Sequence, residues 1–230
     1  MNSTQRTVSD VMTQTVVAVS RSAPYKEIAR TLAEWKVSAV PVLEGEGRVI
    51  GVVSEADLLP KEEFKDGDPA RFDRLRRIDD LAKAAGGTAE DLMSAPAVTI
   101  HAYATVAEAA RAMARKGVKR LPVVDEQGML AGIVSRSDLL KVYLRDDEDI
   151  AREVGEEVVA RLFRNRKPTV EVTVTEGVVT LSGSLADTSM VPLVARLVRA
   201  VEGVVNVELR LTAPAAGPGA PEPPVDDPQA

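Results

Sequence analysis

"GVVSEADLL" at residues 51–59 is answered eighty-one positions later by "GIVSRSDLL" at residues 132–140. Each stretch runs glycine, apolar residues, serine, two variable positions, aspartate and a leucine pair. Working outward without a gap, the fifty residues from Asp10 match the fifty from Asp91 at eighteen identical positions. The chain is therefore built on a tandem repeat, and the repeat decides the fold.

Each copy reads in the same order. A short strand (16–19; 97–100) precedes a helix whose apolar positions Tyr25, Ile28, Leu32 and Val106, Ala109, Met113 fall at helical spacing. Pro24 suits the first turn of the first such helix. Two apolar strands follow, "AVPVL" with "RVIGVV" and "RLPVV" with "MLAGIV", separated by the turns "EGEG" and "DEQG". Ser54 and Ser135 then open a closing helix. One copy is a β-α-β-β-α unit near the lower size limit for an independent core, so the two copies are expected to pack sheet to sheet. The fold class is α/β (α+β).

The limits read from the chain are 8–60 for the first repeat, 61–88 for an insert, 89–145 for the second repeat, 148–212 for a further domain and 213–230 for a tail. The insert is charged, opens with Pro60 and closes with two glycines; Phe72, Leu75, Ile78 and Leu81 predict a helix over 70–85. The acidic run Asp146, Asp147, Asp149 reads as a helix start and not as a Mg²⁺ site, because no other ligands stand nearby. Beyond it, Ile150, Val154, Val158 and Leu162 predict a helix, Val170, Val172 and Val174 with a "TEG" turn predict a hairpin, and a helix over 187–200 and a strand over 204–211 complete an α-β-β-α-β domain. The tail, with six Pro and two Gly in eighteen residues, is expected to be disordered.

Composition narrows the function. The chain has no Cys, which excludes disulfides, thiolate nucleophiles and Cys-ligated metals. A net charge of −6 without a large basic tract argues against nucleic acid as a partner. With neither a leader pattern nor a long apolar run, a cytoplasmic protein is expected. His101 is the one histidine and reads as a surface residue. No Walker-type loop appears, no catalytic set can be assembled around His101, and no metal site or required cofactor is expected, so the chain is not read as an enzyme.

The repeated Ser-x-x-Asp has two uses. It is a capping-box pattern that satisfies backbone groups at a helix start. At the end of a buried strand facing a cleft, the same helix start can also hold a phosphate while a hydroxyl and a carboxylate hold ribose hydroxyls. Here the residues carry a resemblance: with "DVMT" and "DLMS" openings, "VPV" and "LPVV" strands and twin G-h-h-S-x-x-D ends, the span from about Val8 to Leu144 resembles a tandem pair of CBS domains, a Bateman module. The resemblance implies a regulatory module, usually a homodimer, whose clefts bind AMP, ADP, ATP or S-adenosylmethionine. It maps ligand contacts onto Ser54 with Asp57 and Ser135 with Asp138. The stretch before the proline, often basic in nucleotide-binding members, is "KVSAVP" in one copy and "GVKRLP" in the other. Lys119 and Arg120 can therefore meet a phosphate where Ser38 and Ala39 cannot, and the two clefts should differ.

Residues 148–212 resemble a BON domain, on "EVTVTEGVVTLSGSL" and "ARLVRAVEGVVNVELRL", with Gly177 in the turn, Gly183 ending a strand and Gly203 ending a helix. The resemblance implies association with a protein partner or with phospholipid, and hence a place at the inner membrane face as an alternative location. Arg161, Arg164, Arg166 and Lys167 cluster where they could meet anionic headgroups, although cations also favour a helix C-terminus. Two functions follow: a regulator in which an adenine-containing ligand biases how the BON domain meets its target, or a ligand-free dimerising scaffold in which the BON domain alone performs recognition.

Overall fold

The computed structural model describes residues 6–63, 83, 85–163, 169–185 and 187–212. The helix expected over 70–85 lies almost wholly outside these residues, as do the tail and Arg164, Arg166 and Lys167. The chain divides into two compact units near Lys141 and Val142.

The first unit holds both repeats. In chain order it contains α1 (Val8–Val11), β1 (Val19–Ser20), α2 (Tyr25–Trp35), β2 (Ala39–Glu44), β3 (Arg48–Ser54), α3 (Glu55–Leu58) and α4 (Pro60–Glu63). The second repeat gives α5 (Ala89–Leu92), β4 (Ile100–His101), α6 (Val106–Lys116), β5 (Arg120–Val124), β6 (Leu130–Ser135) and α7 (Arg136–Leu140). Each repeat makes a three-stranded sheet in which the first strand runs parallel and the third antiparallel to the central one. Both repeats show the predicted β-α-β-β-α order, but the first strands are two residues long and shifted to the ends of the predicted spans, Val19–Ser20 and Ile100–His101 instead of 16–19 and 97–100. Pro24 sits at the N-cap of α2, one position before the first helical residue. His101 is half-buried at the surface: β4 lays it beside Val124, whose carbonyl lies 3.2 Å from Nδ1, and its ring stacks on the exposed Tyr103.

The repeats are joined by exchange. The opening of the second copy packs into the first: Ala89 and Leu92 are buried in one cluster with Val19, Ile28, Leu32, Val40 and Val53. Its amides reach back, Ala89 to the Ala23 carbonyl and Glu90 to the Arg21 carbonyl. Conversely, Val8 and Ser9 of the first opening donate to the carbonyls of Ala104 and Ala102. The bridges between repeats come in equivalent pairs at the 81-residue offset: Thr13 with Ile133 and Ser94 with Val52, then Thr7 with Thr105 and Thr88 with Pro24. Arg48 bridges Met129, its own equivalent, which places the pseudo-twofold axis between the β2–β3 and β5–β6 turns.

This exchange explains the repeated glycine. A Cβ at Gly51 would collide with the side chain of Met93, and one at Gly132 would lie 2.7 Å from the Met12 sulfur and 3.0 Å from the Thr13 carbonyl. Each glycine leaves room for the methionine of the other copy's opening.

The second unit is α8 (Asp147–Glu153), a π-helical stretch (Val154–Val159), α9 (Ala160–Leu162), β7 (Thr169–Thr175), β8 (Val178–Ser184), α10 (Val191–Arg199) and β9 (Asn206–Thr212), in the predicted α-β-β-α-β order. The sheet runs β7-β8-β9, with β8 antiparallel to β7 and parallel to β9. The first helix buries Ile150, Val154, Val158 and Val159 against Val179, Leu181, Val194, Val198 and Val207. An apolar residue every fourth position overshoots the 3.6-residue turn, and the wider π stretch keeps that row on the core side. The acidic run is a helix start: Asp146 is the N-cap, and both Asp147 carboxylate oxygens accept 2.8 Å bonds from the Glu176 and Gly177 amides of the hairpin turn. Glu176 and Gly177 both take positive φ, as a two-residue hairpin turn requires. Gly183 lies inside β8, one residue before its end, and Gly203 lies in the turn four residues after α10.

Candidate functional site

Ser54 and Ser135 both occupy N-caps. The Asp57 carboxylate accepts from the Ser54 amide (2.8 Å) and hydroxyl (2.6 Å), and Asp138 accepts from the Ser135 amide (2.9 Å) and hydroxyl (2.6 Å). Thr7 with Asp10, Thr88 with Asp91 and Thr105 with Glu108 form the same box elsewhere in the unit. The motif's hydrogen bonding is thus ordinary helix capping. Beside the first copy lies a cavity.

A cavity of about 500 Å³ opens beside α3. The first repeat contributes Ser38, Ser54, Glu55 and Asp57; the second contributes Lys119 and Arg120 on the strand that enters β5. Val52, Pro96, Ala97, Val98 and Val118 supply apolar wall. The volume falls in the range of small-molecule sites, and the mixture of apolar wall with a few converging polar groups is what such sites use. Four predicted residues, Ser54, Asp57, Lys119 and Arg120, meet here. Ser135 and Asp138 do not line this cavity.

Arg120 is half-buried, and burial pushes its guanidinium below the ordinary arginine value while Glu55 and Asp138 oppose the shift. Nη2 donates to the Ser38 hydroxyl at 2.5 Å and Nη1 to the Ala39 carbonyl at 3.2 Å. It is therefore a positioned, partly desolvated cation and not a solvated one at a strand edge. Lys119 is exposed and has no side-chain partner among the described residues.

Three features lay outside the sequence reading. Lys83 of the insert forms an ion pair with Asp57, both side chains largely buried, and its Nζ lies 3.5 Å from the Ser94 hydroxyl. Glu55 adds a second acid to the lining. The wall 96–98 arrives from the exchanged opening of the second copy. Only the pseudo-twofold pairing brings these together; the insert carries as many acids as bases, so its composition gave no signal for Lys83. In the second unit, Arg161 is paired with Glu157 at 2.5 Å and is not a free cation. Among the described residues, no cluster of His, Asp or Glu is placed to hold a metal ion.

Comparison with known proteins bears on this geometry. Residues 8–61 and 89–145 match the CBS domain family model, and residues 146–214 match the BON domain model. The protein MJ1426 of Methanocaldococcus jannaschii is 28% identical over 153 residues, spanning 60% of this chain and 90% of that protein. The chloroplastic CBS domain-containing protein CBSX2 of Arabidopsis thaliana is 30% identical over 154 residues, 60% of this chain; the match spans 64% of CBSX2, less than two thirds of its length. The crystal structure of CBSX2 in complex with AMP superimposes with a TM-score of 0.53 at 29% identity, covering 60% of this chain and 96% of that one. With both family models matched in order, the chain belongs to the CBS-domain proteins and carries a tandem CBS pair followed by a BON domain.

Proposed function

We propose that the cavity beside Ser54 is a regulatory site for an adenine-containing ligand, AMP being the first candidate. One observation carries this: a single cavity joins a partly desolvated Arg120 and the exposed ammonium of Lys119 to a hydroxyl and carboxylate, Ser54 and Asp57, across an apolar wall. Cations at one end suit a phosphate, Asp57 suits ribose hydroxyls, and the wall of Val52, Pro96, Ala97 and Val98 suits a flat base. The likeness to CBSX2, crystallised with AMP, supports the same class of ligand. ADP, ATP and S-adenosylmethionine share the adenosyl part and compete as alternatives. Ser135 and Asp138 are assigned to a second, weaker cleft, because Ser38 and Ala39 stand where its equivalent has Lys119 and Arg120.

The role is regulatory and non-catalytic. A homodimer through the CBS pair is proposed from Leu59 and Leu140, equivalent positions 57% and 60% exposed at the ends of the closing helices. Leu59 also lines the cavity, so a ligand that favours one dimer arrangement can shift its population. The BON domain would pass that change to a protein partner or to anionic phospholipid, with Arg161, Arg164, Arg166 and Lys167 as the lipid contacts. Among the described residues no helix is long and apolar enough to cross a membrane.

Thermal unfolding tests the site. AMP at a hundred times its dissociation constant should stabilise the CBS pair by about 2.7 kcal/mol. Asp57→Asn and Arg120→Ala should each remove most of that gain. If the wild type gains nothing from AMP, ATP or S-adenosylmethionine, the cavity is not a ligand site and the chain is a dimerising scaffold whose BON domain alone performs recognition.

A further inference from the structure

Resting on the ligand assignment above, we infer that Glu55 is a specificity-determining residue that limits the cavity to a single phosphate group and disfavours ATP. Glu55 is the first variable position of Ser54-x-x-Asp57, where the second repeat carries Arg136. It lines the cavity, is exposed, and makes no salt bridge to any described residue.

Its place relative to the cations is set by Ser38. The Glu55 amide donates to the Ser38 carbonyl at 3.0 Å, and Arg120 donates to the Ser38 hydroxyl at 2.5 Å. Acid and guanidinium therefore flank one residue, and Glu55 is the leading opposite charge in the field at Arg120. The phosphate end of the cavity is not uniformly basic. Glu55 acts on Arg120 and lines the same cavity as Lys119, while Asp57 is already engaged by Lys83 and Ser54.

A phosphomonoester carries close to two negative charges at neutral pH, which Lys119 and Arg120 can answer. Each further phosphoryl group adds negative charge beside the Glu55 carboxylate, and among the described lining residues Lys119 and Arg120 are the only cations, Lys83 being engaged by Asp57. Like charges at that range are unfavourable even when partly screened. Arg136 at the equivalent position shows that the repeat's framework accepts a cation there, so the acid is a property of this cleft and not of the helix start.

Calorimetric titration of the full chain with AMP and with ATP, both in EDTA, tests the assignment. The wild type should bind AMP at least about tenfold more tightly than ATP. Glu55→Gln should tighten ATP by about tenfold and AMP by less than about threefold, and Glu55→Arg should go further in the same direction. Equal affinities in the wild type, or a Glu55→Gln variant in which the ratio of the two is unchanged, would overturn the role of Glu55 while leaving the nucleotide site standing. Heat from neither nucleotide would overturn the site itself and the specificity argument with it.

Discussion

Asp57 and Asp138 stand at equivalent positions and accept the same serine hydrogen bonds, yet they meet different cations. Asp57 is held by Lys83 from the insert, Asp138 by Lys141 at 2.7 Å on its own helix. Burial alone would raise Asp138, but the hydrogen bonds from Lys141 and from the Ser135 hydroxyl and amide outweigh it and leave the carboxyl below the ordinary aspartate value of 3.8. A carboxyl lowered on folding adds stability that is complete above its unfolded value and is lost as pH falls through the folded one. Asp138→Asn should therefore cost about 1–3 kcal/mol at pH 7, and the gap to wild type should shrink as the pH drops below 3.8. Urea denaturation of both proteins across that range checks it, and a gap that stays constant would mean that the charge of Asp138 contributes nothing. The same residue scale shows how far sequence reaches: the two Ser-x-x-Asp boxes were legible as caps, whereas the different cations were not, because Lys83 is twenty-six residues from Asp57 along the chain.

At the scale of elements, the repeat made almost every strand and helix legible, since apolar spacing of two and 3.6 is a local signal. The exchange of openings was not. Residues 8–13 and 89–94 follow one pattern, each with Asp and Met at equivalent positions, so the sequence does not say which sheet each opening docks on. The consequence is testable at Gly132, where a Cβ would meet the Met12 sulfur and the Thr13 carbonyl. Gly132→Ala should destabilise the unit by about 1–3 kcal/mol, the usual cost of overpacking. Hydrogen exchange should then show lost protection at the amides of Val8, Ser9 and Thr13, which bond to the second repeat, more than at the amides of α5. Loss confined to the second repeat would argue against the exchange. In the C-terminal unit the hairpin and both helices were legible from alternating valines and helical spacing; the π stretch was not, because propensity does not distinguish it from α-helix.

At the scale of the whole molecule, the chain is two compact units with separate cores. The CBS pair supplies a cavity whose walls come from both repeats, so the cavity exists only when the pair is closed about its pseudo-twofold axis. That dependence explains why sequence could supply Ser54, Asp57, Lys119 and Arg120 but could not say that they share one space. The same pairing leaves Ser135 and Asp138 out of it. An NMR titration of the full chain with AMP tests this most directly. Saturable amide shifts are expected at one AMP per chain, centred on residues 38–39, 52–57, 94–98 and 117–120, the positions that line the cavity. Shifts centred elsewhere, or none at millimolar AMP, would contradict a nucleotide site built by the paired repeats.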